Sequence, residues 1–384
     1  MSTATPGFRL VPHIREIPPM QWDALHDGQC FVRHAFLAAL EASGSVGAQT
    51  GWTPAHATLW DGDTLIAAAP AYLKTHSWGE YVFDWAWAEA YERHGLPYYP
   101  KWLCAIPFSP VPGARLLARD ETARRQLLAA MLDQAIDDER SSLHLLFCDA
   151  ASREAARAAG LMLRHNVQFH WQNRGYGDFE HFLASLAYDK RKKIRQERRK
   201  VTEAGVVMAT REGRHISDED WDFFYRCHTM TYALHGGRPY LTRAFFRALA
   251  DSLPECCVMI IASRDGQPVA SSLLLRDTNV LYGRYWGAME RISCLHFEAC
   301  YYTPIEYAIT QGLHSFEGGA QGEHKLARGL DPVDTHSLHW IADADFRDAI
   351  GRFLQREADG MARYVDELGE HTAYRHAQGQ PQLP

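Results

Sequence analysis

The 384-residue chain has little cysteine, eight residues in all, none of them in a Cys-x-x-Cys pair, with Cys256 and Cys257 adjacent. That usage excludes a disulfide framework and fits buried or free thiols in a reducing compartment. No apolar run approaches the ~18 residues of a membrane span. The segment Met1–Arg9 lacks the basic and apolar blocks of a signal peptide, so a cytoplasmic location is expected. Neither sign of charge dominates. A net charge of −7 with 23% charged and 46% hydrophobic residues describes an ordinary globular chain. It argues against a protein that coats nucleic acid with its whole surface, and DNA is not an expected partner. Three chemical signatures are missing: the GxxxxGK[ST] phosphate loop, the GxGxxG dinucleotide turn and the GxSxG nucleophile elbow. His336 and His339 lie three apart, but without Cys or carboxylate partners at ligand spacing no metal site is expected.

What is present is an alternation of strands and helices. At ~150 residues per domain the length gives two domains, each able to bury a core without staples. The first half reads as a strand near Phe8–Ile14, a helix near His34–Ala42, a hairpin turning at Asp61-Gly62, a helix at Glu121–Ala135 and a strand at Leu143–Cys148. The second half repeats the plan. A hairpin turns at Asp265-Gly266, a strand follows at Val280–Gly287, then a helical segment to Gln311 and a strand at His314–Glu317. Asp-Gly between apolar stretches favours a type I′ turn, which needs positive φ. Aligning the two turns places Leu65 on Val269, Ile66 on Ala270 and Ala67 on Ser271, and predicts an internal duplication of an α+β unit. Thr303-Pro304-Ile305-Glu306 has the form of a capping box, where a helix starts or kinks. The linker is expected in the Gly-rich stretch Asn173–Asp178, giving domains over 1–174 and 175–384 with an aromatic insertion at 76–110. Phe179–Leu186, Lys190–Ala204 and Phe346–Leu368 read as helices, and Gln378–Pro384 as a frayed tail.

Three constellations can carry chemistry. Lys190–Lys200 has eight positive charges in eleven residues. At 100° per residue Leu186, Ile194, Val201 and Ala204 share one face, and Arg191, Lys192, Arg195, Arg198 and Arg199 form a stripe beside it. The stripe is either a phosphate footprint, which is the expectation, or a solvated face paired with local Glu. Glu317–Leu330 follows a predicted strand and gathers glycines with Glu323, His324, Lys325 and Arg328, in the position where scaffolds present their chemistry. There Lys325 can balance a phosphate or an oxyanion, and Glu323, His324 or the more distant Glu298 can move a proton; the alternative is a surface loop with an ion pair. Lys74, His76, Glu80 and Asp84 sit among aromatics, as in a small-molecule pocket or an ordinary core. Arg284 and Trp286 lie on a strand whose glycines permit close approach of a ligand.

The segments HSWGEYVFDWAWAEAY (76–91), YYPK (98–101), GRYWGA (283–288), LHFEACYY (295–302) and GAQGEHKLARG (319–329) resemble a bacterial family of predicted N-acyltransferases. That family belongs to the GNAT superfamily and is related to the Fem-type aminoacyltransferases. The resemblance runs from about Phe31 to Trp340. It implies an α+β fold of two tandem GNAT-like domains around mixed sheets, and transfer of an acyl or aminoacyl group to an amine of a small molecule or peptide. It further implies that Lys325 matches the lysine that contacts the donor, and that Arg191, Arg195, Arg198, Arg199 and Arg328 bind donor phosphates. Amides of Val280–Gly287 would hold the donor carbonyl, and Lys74, His76, Glu80, Asp84, Arg284 and Trp286 would line the acceptor pocket. No tightly bound cofactor is expected. Aminoacyl-tRNA is favoured as co-substrate, because eight charges exceed what one pyrophosphate needs and the RxxGxG/A loop for coenzyme A is absent. Acyl-CoA is the alternative donor, and a non-catalytic RNA-binding module the alternative function.

Overall fold

The computed structural model describes residues 6–234, 236–319, 322–370 and 372–375. The expected tail Gln378–Pro384 lies outside them. The chain forms two compact units, neither of them continuous in sequence: Met1–Asn166, Tyr240–Leu253 and Asp334–Ala362 make the first, and Val167–Pro239, Pro254–Val333 and Arg363–Pro384 the second. The single division at 174/175 therefore omits two segments, 240–253 and 334–362, that join the first unit.

In the first unit the strands are β1 (Gly7–Val11), β2 (Trp52–Pro54), β3 (His56–Asp61), β4 (Thr64–Ala69), β5 (Ala71–Lys74), β6 (Lys101–Cys104), β7 (Leu117–Ala118) and β8 (Ser142–Leu145). One sheet has the order β1-β3-β4-β7; in the other, β6 sits between β5, antiparallel, and β8, parallel. The stretch read as an aromatic insertion thus supplies an interior strand. The helix Glu121–Asp137 forms because Asp120 caps it, accepting from the Ala123 amide, and because Leu127, Leu128, Met131 and Ala135 recur at helical spacing and are buried.

The second unit takes residues 167–172 of β9 (Met162–Gln172), then β10 (Val206–Glu212), β11 (Cys257–Arg264), β12 (Gln267–Arg276), β13 (Val280–Ala288) and β14 (Ser315–Glu317), in the order β10-β11-β12-β13-β14-β9. All these pairs are antiparallel except β13 with β14. The final strand, β15 (Asp331–Ile341), returns to the first unit and pairs with β8 through Leu338–Ile341.

The duplication is visible, one residue out of the expected register. The first hairpin turns on Gly62-Asp63, where only Gly62 has positive φ, whereas the second turns on Asp265-Gly266 with both residues positive, as type I′ requires. Matching turn to turn puts Ile66, not Leu65, on Val269. Both are bulge residues: the pairing skips Ile66 between Leu65 and Ala67, and Val269 between Pro268 and Ala270. Each bulge carbonyl then accepts from the residue just past the third strand, Arg119 in one unit and Met289 in the other. Ala67 pairs with Ala118 just as Ala270 pairs with Ala288. A bulge is a specific feature of a fold. Its recurrence with the same partners identifies two copies of one mixed α+β unit.

The capping box does not form. Chain 295–310 runs as helix, a π-turn at Glu298–Tyr302, then the helix Thr303–Thr310. Pro304 has no N–H to give the carbonyl of Cys300, and the wider turn absorbs that loss. The Thr303 hydroxyl instead donates to Glu298, at 3.1 Å.

Candidate active site in the second unit

The strands β13 and β14 run parallel for three residues, and their pairing ends at Tyr282 with Glu317. Beyond that point β13 bulges at Arg284, where the pairing passes from Leu274–Gly283 to Leu273–Tyr285, while the other strand turns into Gly318-Gly319. Between them opens a cavity of about 140 Å³, lined by Gly283–Trp286, Gly318 and Gly319 and, from the helical side, by His296, Cys300 and Tyr301. A volume near ~150 Å³ admits a guest the size of benzene, which suits a short acyl or aminoacyl side chain. Gly318 leaves little room for a side chain. A Cβ there would stand 2.6 Å from the buried Leu330 side chain, which would have to move, and in ordinary contact with Tyr301 and Lys325.

Lys325 lies on the two-turn 3-10 helix Glu323–Arg328, which follows immediately after Gly322. It is 2% exposed, and its ammonium donates to the carbonyl of Gly319 at 2.7 Å. No carboxylate among the described residues lies within ion-pair distance of it. Burial lowers its pKa to about 8, with only the Cys300 thiol opposing. Removing a cation from water without a counter-ion is unfavourable, and such groups concentrate where chemistry needs them. Its neighbours stay uncharged: burial, with Lys325 contributing, brings His170 and His296 down to about 4.

Glu317, missed by the sequence reading, ends β14 beside the cavity glycines. Its side chain is 14% exposed, and His170 Nδ1 stands 3.9 Å away. Burial raises its pKa to about 8 against the pull of Arg284. The available signal was its place as the last strand residue before a double glycine.

The other expected residues fall into three groups. His324 and Glu323 are on the same turn; His324 meets the Tyr301 hydroxyl at 3.1 Å, and Glu323 accepts from Tyr364 at 2.7 Å. Glu298 is buried against Arg198, 3.0 Å away, and Arg328 is buried against Glu197 at 2.8 Å and stacked 3.5 Å over Phe297. Glu197 also accepts from the hydroxyl of Tyr302. These two pairs fix the basic helix Tyr188–Glu203 to the π-turn and to the lysine turn. Glu298 is thus held in an ion pair rather than free as a base, and Arg198 and Arg328 act as struts rather than open phosphate contacts. The remaining arginines lie along one outer side of the helix. Arg191, Arg195 and Arg199, with Tyr188, Lys192 and Gln196, line a groove of about 460 Å³, while Ile194 and Val201 face inward. Arg195 pairs with Glu180 and Arg199 with Glu203 at the surface, where such pairs are weak.

Lys74, Glu80 and Asp84 come together in the first unit, but around Lys101 and out of solvent, while His76 is half-buried at the edge with Nδ1 3.4 Å from the Lys74 ammonium. The Lys101 ammonium donates to Ser77 and Glu80, both at 2.8 Å, and to Asp84. Burial works to raise the pKa of Asp84, yet the adjacent ammonium holds it well below the usual carboxylate range. Burial brings Lys74 and Glu80 to about 7 from opposite sides. They form a charged core rather than an open pocket. Lys101→Ala, which strands two carboxylates, is expected to destabilise the protein by about 3–5 kcal/mol in urea unfolding. A loss under 1 kcal/mol would show the cluster to be dispensable. Arg284 and Trp286 belong instead to β13 and the second-unit cavity.

The model of one family, described as peptidoglycan biosynthesis/recognition, matches residues 13–376. The chain belongs to the FemAB-like family. That membership places it among Fem-type acyltransferases. Two solved structures share its fold: FemX, at 12% identity over 87% of this chain and 98% of that one with a TM-score of 0.52, and L-PGS from Bacillus licheniformis, at 8% identity over 84% and 95% with 0.51. No curated protein matches the sequence significantly. The fold of this FemAB-like protein is the tandem GNAT-like arrangement that the repeated bulges display. No helix among the described residues is long and apolar enough to cross a membrane.

Proposed function

We propose that this protein transfers an acyl or aminoacyl group from a phosphate-bearing donor to the amine of a small molecule or peptide, at the cavity between β13 and β14. The observation that carries the reading is Lys325, a buried ammonium with no counter-ion among the described residues, behind the cavity's double glycine. Acyl transfer generates negative charge on the carbonyl oxygen, and a preset cation stabilises it without reorganisation. Holding donor and amine in line lowers the barrier further with no covalent enzyme intermediate. In the step proposed, the amine nitrogen forms a bond to the acyl carbon and its proton passes to the Glu317 carboxylate. The bond from acyl carbon to the donor oxygen or sulfur breaks, and the leaving group takes up a proton. Glu323 and His324, on the lysine turn, orient it through Tyr364 and Tyr301.

The donor proposed is aminoacyl-tRNA, with its phosphates along Arg191, Lys192, Arg195 and Arg199. Incubating the protein with labelled aminoacyl-tRNA or labelled acyl-CoA and a panel of amines tests the reading. Amide formation from the first supports it; transfer from the second alone replaces the donor, and RNA binding without transfer overturns the enzymatic reading. Arg191→Glu combined with Arg195→Glu is expected to weaken tRNA binding and flatten its salt dependence by roughly 0.7–0.9 log units for each phosphate no longer neutralised. An unchanged slope would make the helix a solvated face.

A further inference from the structure

A group of three side chains in the first unit, from two strands far apart in sequence, has no part in the acyl-transfer reading. His165 on β9 and Asp334 and His336 on β15 converge on one point. The Oδ2 atom of Asp334 stands 2.9 Å from His165 Nδ1 and 3.1 Å from His336 Nε2, and the three atoms all lie within 4.8 Å of one another. The imidazole rings are 5.1 Å apart and inclined by 69°, so both aim a nitrogen at the same carboxylate. Asp334 and His336 are two apart on one strand and therefore share a face. That spacing was invisible to the sequence reading, which paired His336 with His339 and found no carboxylate. His339 in fact points elsewhere, with its Nδ1 2.7 Å from that of His144.

We propose that His165, Asp334 and His336 bind a divalent transition-metal ion of the zinc class, with a fourth position open to water. With bonds of ~2.0–2.2 Å to nitrogen and oxygen, the edges of a zinc tetrahedron are about 3.3 Å long, close to the two separations from Asp334. Two imidazoles and one carboxylate suit Zn²⁺, Co²⁺ or Ni²⁺ better than Mg²⁺ or Ca²⁺, which select oxygen. The site is preassembled by its backbone: the carbonyl of His336 accepts from the Cys148 amide at 2.8 Å, and the Thr335 hydroxyl donates to the Asn166 carbonyl at 3.3 Å. All three ligands keep some exposure, so an ion can enter.

Arg153 sets the affinity. Its guanidinium stands 3.3 Å from His336 Nδ1, on the far side of the ring from Asp334. Donating there, it leaves the ring proton on Nε2, the atom that has to ligate. Binding moves that proton to Nδ1 and turns Arg153 back to its other partner, Glu154, already 3.3 Å from its Nε.

The test is titration of the metal-free full-length protein with CoCl₂ and ZnCl₂, read by the visible ligand-field band of Co²⁺ and by calorimetry. One ion per chain is expected, with Zn²⁺ displacing Co²⁺ and MgCl₂ without effect. Asp334→Asn, which keeps the hydrogen-bonding shape, and His165→Ala are expected to weaken binding at least tenfold with unchanged melting temperature in EDTA. Arg153→Ala is expected to tighten it. Absence of a Co²⁺ band in the parent protein, or equal binding by Asp334→Asn and His165→Ala, would overturn the assignment.

Discussion

Replacing Lys325 with methionine is expected to lower amine acylation on the order of 10²–10³-fold, the usual effect of removing one electrostatic contact to a developing oxyanion. The fold is expected to survive, for a specific reason. Among the described residues Lys325 has the Gly319 carbonyl as its one hydrogen-bond acceptor and no carboxylate to lose, so methionine fills the space and relieves an unfavourable burial. Melting temperature should therefore hold or rise while the rate falls. A lysine that served only as a structural anchor would give the opposite pattern, with stability lost and residual activity proportional to folded protein. Lys325→Arg retains charge but not the compact ammonium, and should recover only part of the rate.

The second large effect is expected at Glu317. Glu317→Gln keeps the shape and removes the base, with a loss of about 10²–10⁴-fold in the chemical step. The two groups also set the pH profile. Glu317, raised to about 8 by burial, has to be ionised to take the proton, so the rate falls as pH drops below about 8. Lys325, lowered to about 8 by burial, has to be charged to offset the oxyanion, so the rate falls as pH rises above about 8. The expected profile is a narrow bell centred near pH 8, its acid limb set by Glu317 and its alkaline limb by Lys325. The Gln variant should lose the acid limb and Lys325→Arg should lose the alkaline one. A flat profile between pH 6 and 9 would remove both residues from the chemistry.

Features set by local periodicity were legible in the sequence. The inward face of the basic helix follows from Ile194 and Val201 at a spacing of seven, and His34–Ala42 forms over the residues expected. The duplication was legible from two Asp-Gly pairs, yet its register was misread. Turn position depends on which residues adopt positive φ: Asp265 does, whereas Asp61 stays in its strand and passes the turn to Gly62. Long-range pairing was not legible. Glu298 and Arg328 have charges suited to catalysis, but Arg198 and Glu197, 100 and 131 residues away, neutralise them. The same limit turned an expected acceptor pocket into a charged core, because Lys101 from β6 enters between Glu80 and Asp84. Lys325 stood out by chemistry alone; that it has no counter-ion among the described residues is visible only in the fold.

The central claim is that the acyl group is held between β13 and β14. The measurement that addresses it is a crystal structure of the protein with a hydrolysis-resistant, amide-linked analogue of an aminoacyl-tRNA 3′ end. The acyl side chain is predicted to lie against Gly283–Trp286, Cys300 and Tyr301, with its carbonyl oxygen on the Lys325 side and the site of amine attack on the Glu317 side. Density for the acyl group elsewhere, as among Lys74, His76 and Glu80 of the first unit, with the β13–β14 cavity filled only by water, would contradict it.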